Sequence, residues 1–88
     1  MATLRLFASA RDAAGTARDD VSAATVAEVL DIARVRYGDG FAAVLAISKV
    51  WLNGEPTDGT ALVAEGDEVA VLPPVSGGAG PGAVGGER

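Results

Sequence analysis

The chain has 88 residues, of which 49% are hydrophobic, and a formal net charge of −5. A chain of this length forms one small domain that buries about 60% of the surface its unfolded form exposes. It contains no cysteine and no histidine, which excludes disulfides, a thiol nucleophile, an imidazole base and a thiolate zinc site. The acidic charge argues against nucleic acid as a partner, because phosphate-binding surfaces need clustered Lys and Arg.

No targeting signal stands out near the N-terminus. Neither an apolar span of about 20 residues nor a charged-then-apolar signal segment occurs there. We therefore expect a cytoplasmic protein that does not bind a membrane, and no metal or cofactor held by the chain itself.

The first predicted element is a strand. Leu4 and Leu6 alternate with Arg5, which places both leucines on one face. Phe7 falls on the opposite face, where a phenylalanine needs a cover. The small and polar stretch SARDAAGTARDD, with Gly15 in its middle, predicts a connection that turns the chain back, and DDVSA predicts an edge strand.

The next element is a helix. Thr25 followed by Glu28 matches a capping box, in which each side chain accepts a backbone N–H at the helix start. An apolar stripe follows at helical spacing and consists of Val26, Val29, Leu30, Ala33 and Tyr37. Gly38 is the predicted stop. For FAAVLAI, which follows, periodicity alone leaves a helical turn and irregular packing open.

Two more strands complete the predicted sheet. KVWLNG predicts a strand that ends at the Asn53-Gly54 turn, with Val50 and Leu52 on one face and Trp51 on the other. AEGDEVAVLPPV predicts a turn at Gly66-Asp67 and then a strand.

This last strand ends at Pro73 and Pro74, because proline has no N–H for the ladder. From Ser76 onward the chain is rich in glycine and lacks the apolar residues that would offset the entropy of ordering. We predict an α+β domain over residues 1–75, with a mixed sheet of four to five strands packed on one main helix. Residues 76–88 are predicted to form a flexible tail.

The predicted tail contains two Gly-Gly pairs, at 77–78 and 85–86. Glycine has no Cβ, so such a segment can pass through a narrow channel of a partner and present a carboxylate there. Glycine content alone favours a disordered chain end without function.

Three stretches resemble a known family. LRLFASARDAAGT, TVAEVLDIARVRYG and EGDEVAVLPPVSGG are similar to the MoaD family, the small subunit of molybdopterin synthase, within the MoaD/ThiS group of ubiquitin-like β-grasp proteins. The resemblance spans residues 3–78, and the run from Gly66 to Gly78 is its most specific part. It implies a ubiquitin-like β-grasp fold.

The resemblance implies a sulfur carrier that is not an enzyme by itself. In the family, a ubiquitin-activating-type adenylyltransferase uses ATP to adenylate the carboxylate of the last glycine, which then becomes a thiocarboxylate. The large, MoaE-like synthase subunit passes this sulfur to a pterin precursor. On this chain the resemblance assigns the reactive position to Gly78 and makes Gly77 its required slender neighbour.

The resemblance also implies a partner-binding surface, since family members bind their partners through the sheet face and the tail. The corresponding residues are Phe7, Arg11, Trp51, Leu72, Pro73, Pro74 and Val75. Phe7, Trp51 and Leu72 are expected on neighbouring strands as one exposed patch, unless the sheet curls over them or the segment around Phe41 covers them. Arg11 matches a position where the family often has arginine, and its alternative is a solvated charge.

The last ten residues depart from the family pattern. The Gly78 carbonyl is bonded to Ala79, whereas adenylation needs a free carboxylate. A processing protease that removes residues 79–88 would expose Gly78. Loss of the last two residues alone would instead make Gly86 the end, about 28 Å further out when extended. We favour Gly78 because of its Pro-Pro-Val-Ser-Gly-Gly context.

Other functions stay open on the sequence. One is a sulfur carrier for thiamine, cysteine or a specialised metabolite. Another is a protein modifier, in which Gly78 forms an isopeptide bond with lysines of other proteins. The last is a β-grasp binding module whose tail has no function.

Overall fold

The computed structural model describes residues 1–74, so the predicted tail, with Gly77 and Gly78, and also Val75 lie outside the described residues. Within this range the chain forms five strands and three helices. They are β1 (Ala2–Leu6), α1 (Ala8–Ala14), β2 (Arg18–Val21), α2 (Val26–Tyr37), α3 (Asp39–Ala46), β3 (Lys49–Leu52), β4 (Glu55–Pro56) and β5 (Glu68–Leu72). No helix in residues 1–74 is long and apolar enough to cross a membrane.

The five strands form one mixed sheet in the order β2-β1-β5-β3-β4. The first and last strands of the described residues, β1 and β5, are parallel neighbours, with Leu4 opposite Val69 and Leu6 opposite Val71. The other three pairings are antiparallel. The predicted α+β class with a mixed sheet is confirmed.

The core lies between one face of the sheet and the helices. Leu4 and Val69 are completely buried on the sheet side, as are Val29 of α2 and Phe41 of α3 on the helix side. The Phe41 ring also packs edge-on against Tyr37, with ring centroids 5.2 Å apart. Aromatic pairs favour this edge-to-face geometry.

Helix α2 confirms the predicted capping box. The Thr25 hydroxyl accepts the N–H of Glu28 at 3.2 Å, and the Glu28 carboxylate accepts the N–H of Ala24 at 2.8 Å. The Glu28 carboxylate thus accepts the N–H of the residue before the N-cap. One more backbone N–H near the helix start therefore has a hydrogen-bond partner. The helix ends as predicted at Gly38, whose φ of 90° is accessible to glycine at little cost.

Helix α2 is the longest of the three helices in residues 1–74, in agreement with one main helix, but the stretch predicted as a connection after β1 contains a helix of its own. Half of the stretch predicted as a connection, SARDAAGTARDD, belongs to α1, and Gly15 ends this helix with a φ of 78°. Four of the seven residues of α1 are alanine, the residue with the highest helix propensity. Ala10 is completely buried, so packing against the core also stabilises this short helix. FAAVLAI lies mostly in helix α3, because burial of Phe41 and Leu45 gives that stretch one inward face.

Both predicted turns are present. Asn53 and Gly54 have φ values of 51° and 85° and join β3 to β4 in a tight hairpin. Gly66, at φ 83°, turns the chain into β5. DDVSA contributes to β2, which lies at the edge of the sheet as expected.

A polar cluster joins the end of α2 to β2. The Tyr37 hydroxyl donates to the Asp19 carboxylate, and the Arg36 guanidinium donates to the same carboxylate at 2.8 Å. Burial raises the pKa of Tyr37 to about 12, and its hydrogen bond to Asp19 contributes to the increase. That same hydrogen bond lowers the pKa of Asp19, with further help from Arg36.

The raised pKa of Tyr37 predicts a loss of stability at alkaline pH. The folded protein favours the neutral phenol, so its stabilisation is complete below about pH 10, the unfolded pKa, and is lost as the pH rises towards about 12. Tyr37 is the one tyrosine of the chain, so tyrosinate absorbance reports on it directly. We expect a midpoint near 12 in the folded protein.

Replacing the carboxylate tests the cause of this shift. Asp19→Asn should lower the Tyr37 midpoint without restoring it to the unfolded value, because burial of the phenol remains. Asp20→Asn, which removes a neighbouring exposed carboxylate, should leave the midpoint unchanged. A wild-type midpoint close to that of free tyrosine would contradict the cluster.

Candidate functional site: the outer face of the sheet

The outer face of the sheet is the face opposite the helices, and its residues alternate with the core residues along each strand. Across the central strands, Arg5 lies opposite Ala70, and Ala70 lies opposite Trp51. Trp51 in turn lies opposite Pro56 of the edge strand. Residues directly opposite each other on paired strands have their side chains on the same face of the sheet. Trp51 therefore lies between a small residue, Ala70, and a proline, Pro56, on the outer face.

Phe7 directly follows β1 and lies on the outer face at the end of that strand. Its backbone N–H donates to the Val71 carbonyl at 3.3 Å, which keeps it beside β5. The Arg5 guanidinium carbon lies 5.4 Å from the centre of the Phe7 ring, within the range of a cation–π interaction. Ala8 has a φ of 49° and thus turns the chain sharply into α1. The Phe7 side chain is left 38% exposed.

Trp51 and Leu72 are both half-buried. Leu72 lies opposite Lys49, one diagonal step from Trp51. Next to them is an open cleft of about 440 Å³, lined by Ser48, Lys49, Val50, Trp51, Pro56 and Thr57. The predicted patch residues Phe7, Trp51 and Leu72 therefore lie at or on the neighbouring strands β1, β3 and β5, and none of them is fully buried.

Phe41 does not cover this patch. Its side chain is completely buried in the core on the opposite side of the sheet, against Tyr37. The sheet also does not curl far enough to bury Trp51 or Leu72. The partner-binding role of these residues stays a prediction, since their placement alone names no partner.

The other predicted site residues are spread along the chain. Arg11 is exposed on α1, and its Nε lies 3.9 Å from the Asp12 carboxylate, a separation that contributes little at the surface. Pro73 is half-buried and Pro74 is exposed where the chain leaves β5. Val75, Gly77 and Gly78 lie outside the described residues, so the geometry of the reactive end is not part of the described site.

Three charged residues of the outer face, Arg5, Lys49 and Glu68, were not among the predicted site residues, although alternation along β1 places Arg5 on the face of Phe7. Arg5 donates to the Glu68 carboxylate of β5 at 2.9 Å, and Lys49 lines the cleft beside Trp51. Alternation along β3 would have placed Lys49 on the face of Trp51. The Arg5–Glu68 pair had no local signal, because the two residues are 63 positions apart.

The outer face is suited to binding a partner. Within residues 1–74 no cluster of metal-ligating side chains occurs. What the surface offers is a half-exposed aromatic and aliphatic patch bordered by Arg5, Lys49 and Glu68, next to the point where the chain leaves the sheet. Aromatic anchors within a polar rim are typical of protein interfaces.

Comparison with known families agrees with this architecture. The ThiS family model matches residues 4–78, most of the chain. The chain belongs to the ThiS family. The match includes both Phe7 and the Gly77-Gly78 pair, and it ends at Gly78. No curated protein matches the sequence significantly.

Several solved structures share the fold of this ThiS-family chain. SAMP1 from Haloferax volcanii is 32% identical over 88% of this chain and 98% of that chain, with a TM-score of 0.70. A chain from the BexX/CysO complex of Amycolatopsis orientalis is 26% identical over 89% of this chain and 100% of that one, with a TM-score of 0.71.

A third structure is the complex of subunits 1 and 2 of molybdopterin-converting factor from Helicobacter pylori. The match is 23% identical over 88% of this chain and 97% of that chain, with a TM-score of 0.66. At this identity the likeness supports the ubiquitin-like β-grasp fold and nothing more. A protein named as a modifier, a chain of the BexX/CysO complex and a chain of molybdopterin-converting factor therefore share the fold of this chain, and the comparisons leave its pathway undetermined.

Proposed function

We propose that this protein is a sulfur carrier of molybdenum cofactor biosynthesis, with Gly78 as its reactive end. The observation that carries the proposal is that the family match stops at Gly78, the second glycine of the LPPVSGG run. Residues 79–88 lie beyond the match, which favours Gly78 over Gly86 as the mature end.

The chemistry fits a chain without catalytic side chains. An activating adenylyltransferase joins the Gly78 carboxylate to AMP, using ATP and releasing pyrophosphate. A donor that supplies sulfur at the oxidation level of sulfide then attacks the acyl carbon, a C–S bond forms, the bond to AMP breaks, and the backbone carboxyl is left as a thiocarboxylate. The chain needs no thiol of its own for this, in agreement with the absence of cysteine. Its own contributions are the carboxylate, a slender Gly-Gly end and a surface for the partners.

The position of β5 supports delivery from the outer face. β5 lies between β1 and β3, so at Pro73 the chain leaves the sheet beside the patch that contains Phe7, Trp51 and Leu72. Gly78 is four positions after Pro74, a reach of at most about 14 Å. A partner bound over the outer face can therefore hold the patch and receive Gly78 at a nearby catalytic site. We propose the large, MoaE-like synthase subunit as this partner, after the activating adenylyltransferase.

Activation requires removal of residues 79–88. The peptide bond between Gly78 and Ala79 leaves no free carboxylate to adenylate, so a processing protease has to act first. In this scheme the extension is a removable block on an otherwise complete carrier.

A protein modifier is a second candidate. The 32% identity to SAMP1, whose name stands for small archaeal modifier protein 1, favours it. Such a modifier would use the same activated Gly78 and transfer the acyl group to a lysine amine in place of sulfur. A carrier for another pathway shares the thiocarboxylate step, and the match to the BexX/CysO complex supports keeping that alternative.

The mass of the protein from its own cells tests the proposed end. We expect a species that ends at Gly78, part of it heavier by about 16 Da because sulfur has replaced oxygen in the carboxyl group. Protein found only at full length would contradict the carrier. Slower-migrating adducts on a denaturing gel, instead of a thiocarboxylate, would favour the modifier.

Gly78→Ala in a chain ending at residue 78 should lower thiocarboxylate formation by about tenfold or more, because a Cβ obstructs the narrow channel of the activating enzyme. Thiocarboxylate yield from the reconstituted activation reaction is the measurement. The unmodified chain ending at residue 78 is the control, and equal yields would rule out the threading argument.

Trp51→Glu should weaken binding to the large synthase subunit by more than about 1 kcal/mol, because an aromatic anchor would be replaced by a charge. Val35→Glu is the matched control, since Val35 is 86% exposed on helix α2, away from the outer face. Calorimetry measures the affinity of each variant for the large subunit, and circular dichroism verifies that each variant is folded. Equal affinities would remove Trp51 from the interface.

A further inference from the structure

Strand β2 forms one edge of the sheet, so half of its backbone groups have no neighbouring strand. The Leu6 N–H donates to the Ala17 carbonyl at 2.9 Å, which sets the alternation of the antiparallel ladder. Residues 17, 19 and 21 therefore bond towards β1. The N–H and carbonyl groups of Arg18 and Asp20 point away from the sheet.

The outward groups of Arg18 are both occupied by Thr16. The Thr16 hydroxyl donates to the Arg18 carbonyl at 2.9 Å and accepts the Arg18 N–H at 3.4 Å. One side chain thus satisfies both backbone groups, with the second contact the longer of the two.

The outward groups of Asp20 are occupied by two other side chains. The Asp19 carboxylate accepts the Asp20 N–H at 2.8 Å, and Arg36 donates to the Asp20 carbonyl at 2.9 Å. The Arg36 guanidinium also donates to the Asp19 carboxylate at 2.8 Å. These two hydrogen bonds hold the Arg36 side chain, which extends from helix α2, against the edge of β2.

The opposite edge of the sheet has a different protection. β4 is only two residues long, and one of them is Pro56, which has no N–H to donate. β2 has neither a proline nor a bulge among its four residues, Arg18–Val21. Its outward backbone groups therefore depend on side chains for their partners.

We propose that Thr16, Asp19 and Arg36 form an edge cap that prevents β2 from pairing with β2 of a second copy of this chain. Without the cap the strand is suited to such pairing. In a two-fold antiparallel arrangement centred on residue 19, Arg18 of each copy lies opposite Asp20 of the other, and these opposite charges attract. The two Asp19 carboxylates would face each other and repel, so pairing is favoured most where this charge is removed together with the cap.

The cap therefore keeps the sheet from growing by strand addition at β2. An unpaired edge strand is a template for another chain, and the usual protections are short strands, proline and charge. Here hydrogen bonds from the chain's own side chains take up the four outward backbone groups. Association with partners is left to the outer face and the tail.

Amide hydrogen exchange tests whether the cap forms. The Asp20 N–H faces away from the sheet, so without the cap it should exchange as fast as an exposed amide. With the cap it should exchange about tenfold more slowly, and a hydrogen bond of ordinary strength accounts for that factor. An Asp20 amide that exchanges at the exposed rate in the wild-type protein would overturn the proposal.

A double variant tests the consequence. Thr16→Val with Asp19→Ala removes the hydroxyl and the carboxylate, so the Asp20 amide should lose its protection and the protein should dimerise. Thr16→Ser with Asp19→Asn is the control, because it keeps a hydroxyl and an amide oxygen while losing the same charge. The control should stay monomeric.

Sedimentation equilibrium over a concentration series, with circular dichroism to verify the fold, measures the outcome. A dimer of the first variant whose β2 amides regain protection at high concentration supports pairing through this edge. A folded first variant that stays monomeric, or a control that dimerises equally, would overturn the proposal. If the first variant does not fold, the wild-type Asp20 exchange rate still decides whether the cap exists.

Discussion

The parallel pairing of β1 with β5 is the interaction on which the rest of this structure depends. It joins the two ends of the folded domain and buries Leu4, Leu6, Val69 and Val71 against the helices. Burial of each such side chain stabilises the fold by about 1.5–3 kcal/mol. The pairing also puts β5 in the middle of the sheet, so the chain leaves the domain beside the outer face and away from both edges.

This topology separates recognition from chemistry. The helices cover one face and use it for stability, while the other face keeps Phe7, Trp51 and Leu72 partly exposed. The proposed reactive atom belongs to the backbone at Gly78 and needs no catalytic side chain near it. In the proposed function, the surface that partners recognise and the carboxylate that carries sulfur belong to different parts of the chain, so one partner after another could bind the same carrier.

The two edges of the sheet show how a small domain limits its contacts. β4 ends after two residues and contains proline, whereas the backbone groups of β2 are bonded to Thr16, Asp19 and Arg36. Tyr37 adds a further bond to Asp19 from the end of α2. One cluster thus links the last turn of the main helix to the strand edge, so that the helix position and the edge protection depend on each other.

The sequence by itself determined the local features. Thr25, Glu28 and Gly38 marked the bounds of α2, and the Asn53-Gly54 turn and the prolines after β5 were equally clear. These signals are local because caps, turns and prolines act through neighbouring backbone groups. The proposed reactive glycine also came from a short motif.

Only the tertiary structure decided which elements and residues become neighbours. The alanines of α1 are marginal as an isolated helix and depend on burial of Ala10, and FAAVLAI is helical because Phe41 and Leu45 have a core to enter. The contact of Arg5 with Glu68, the row that joins Ala70 to Trp51, and the reach of Arg36 to β2 all follow from strand order and helix placement. The spacing of residues along one element does not determine such contacts, because they depend on which elements of the chain pack together around the core.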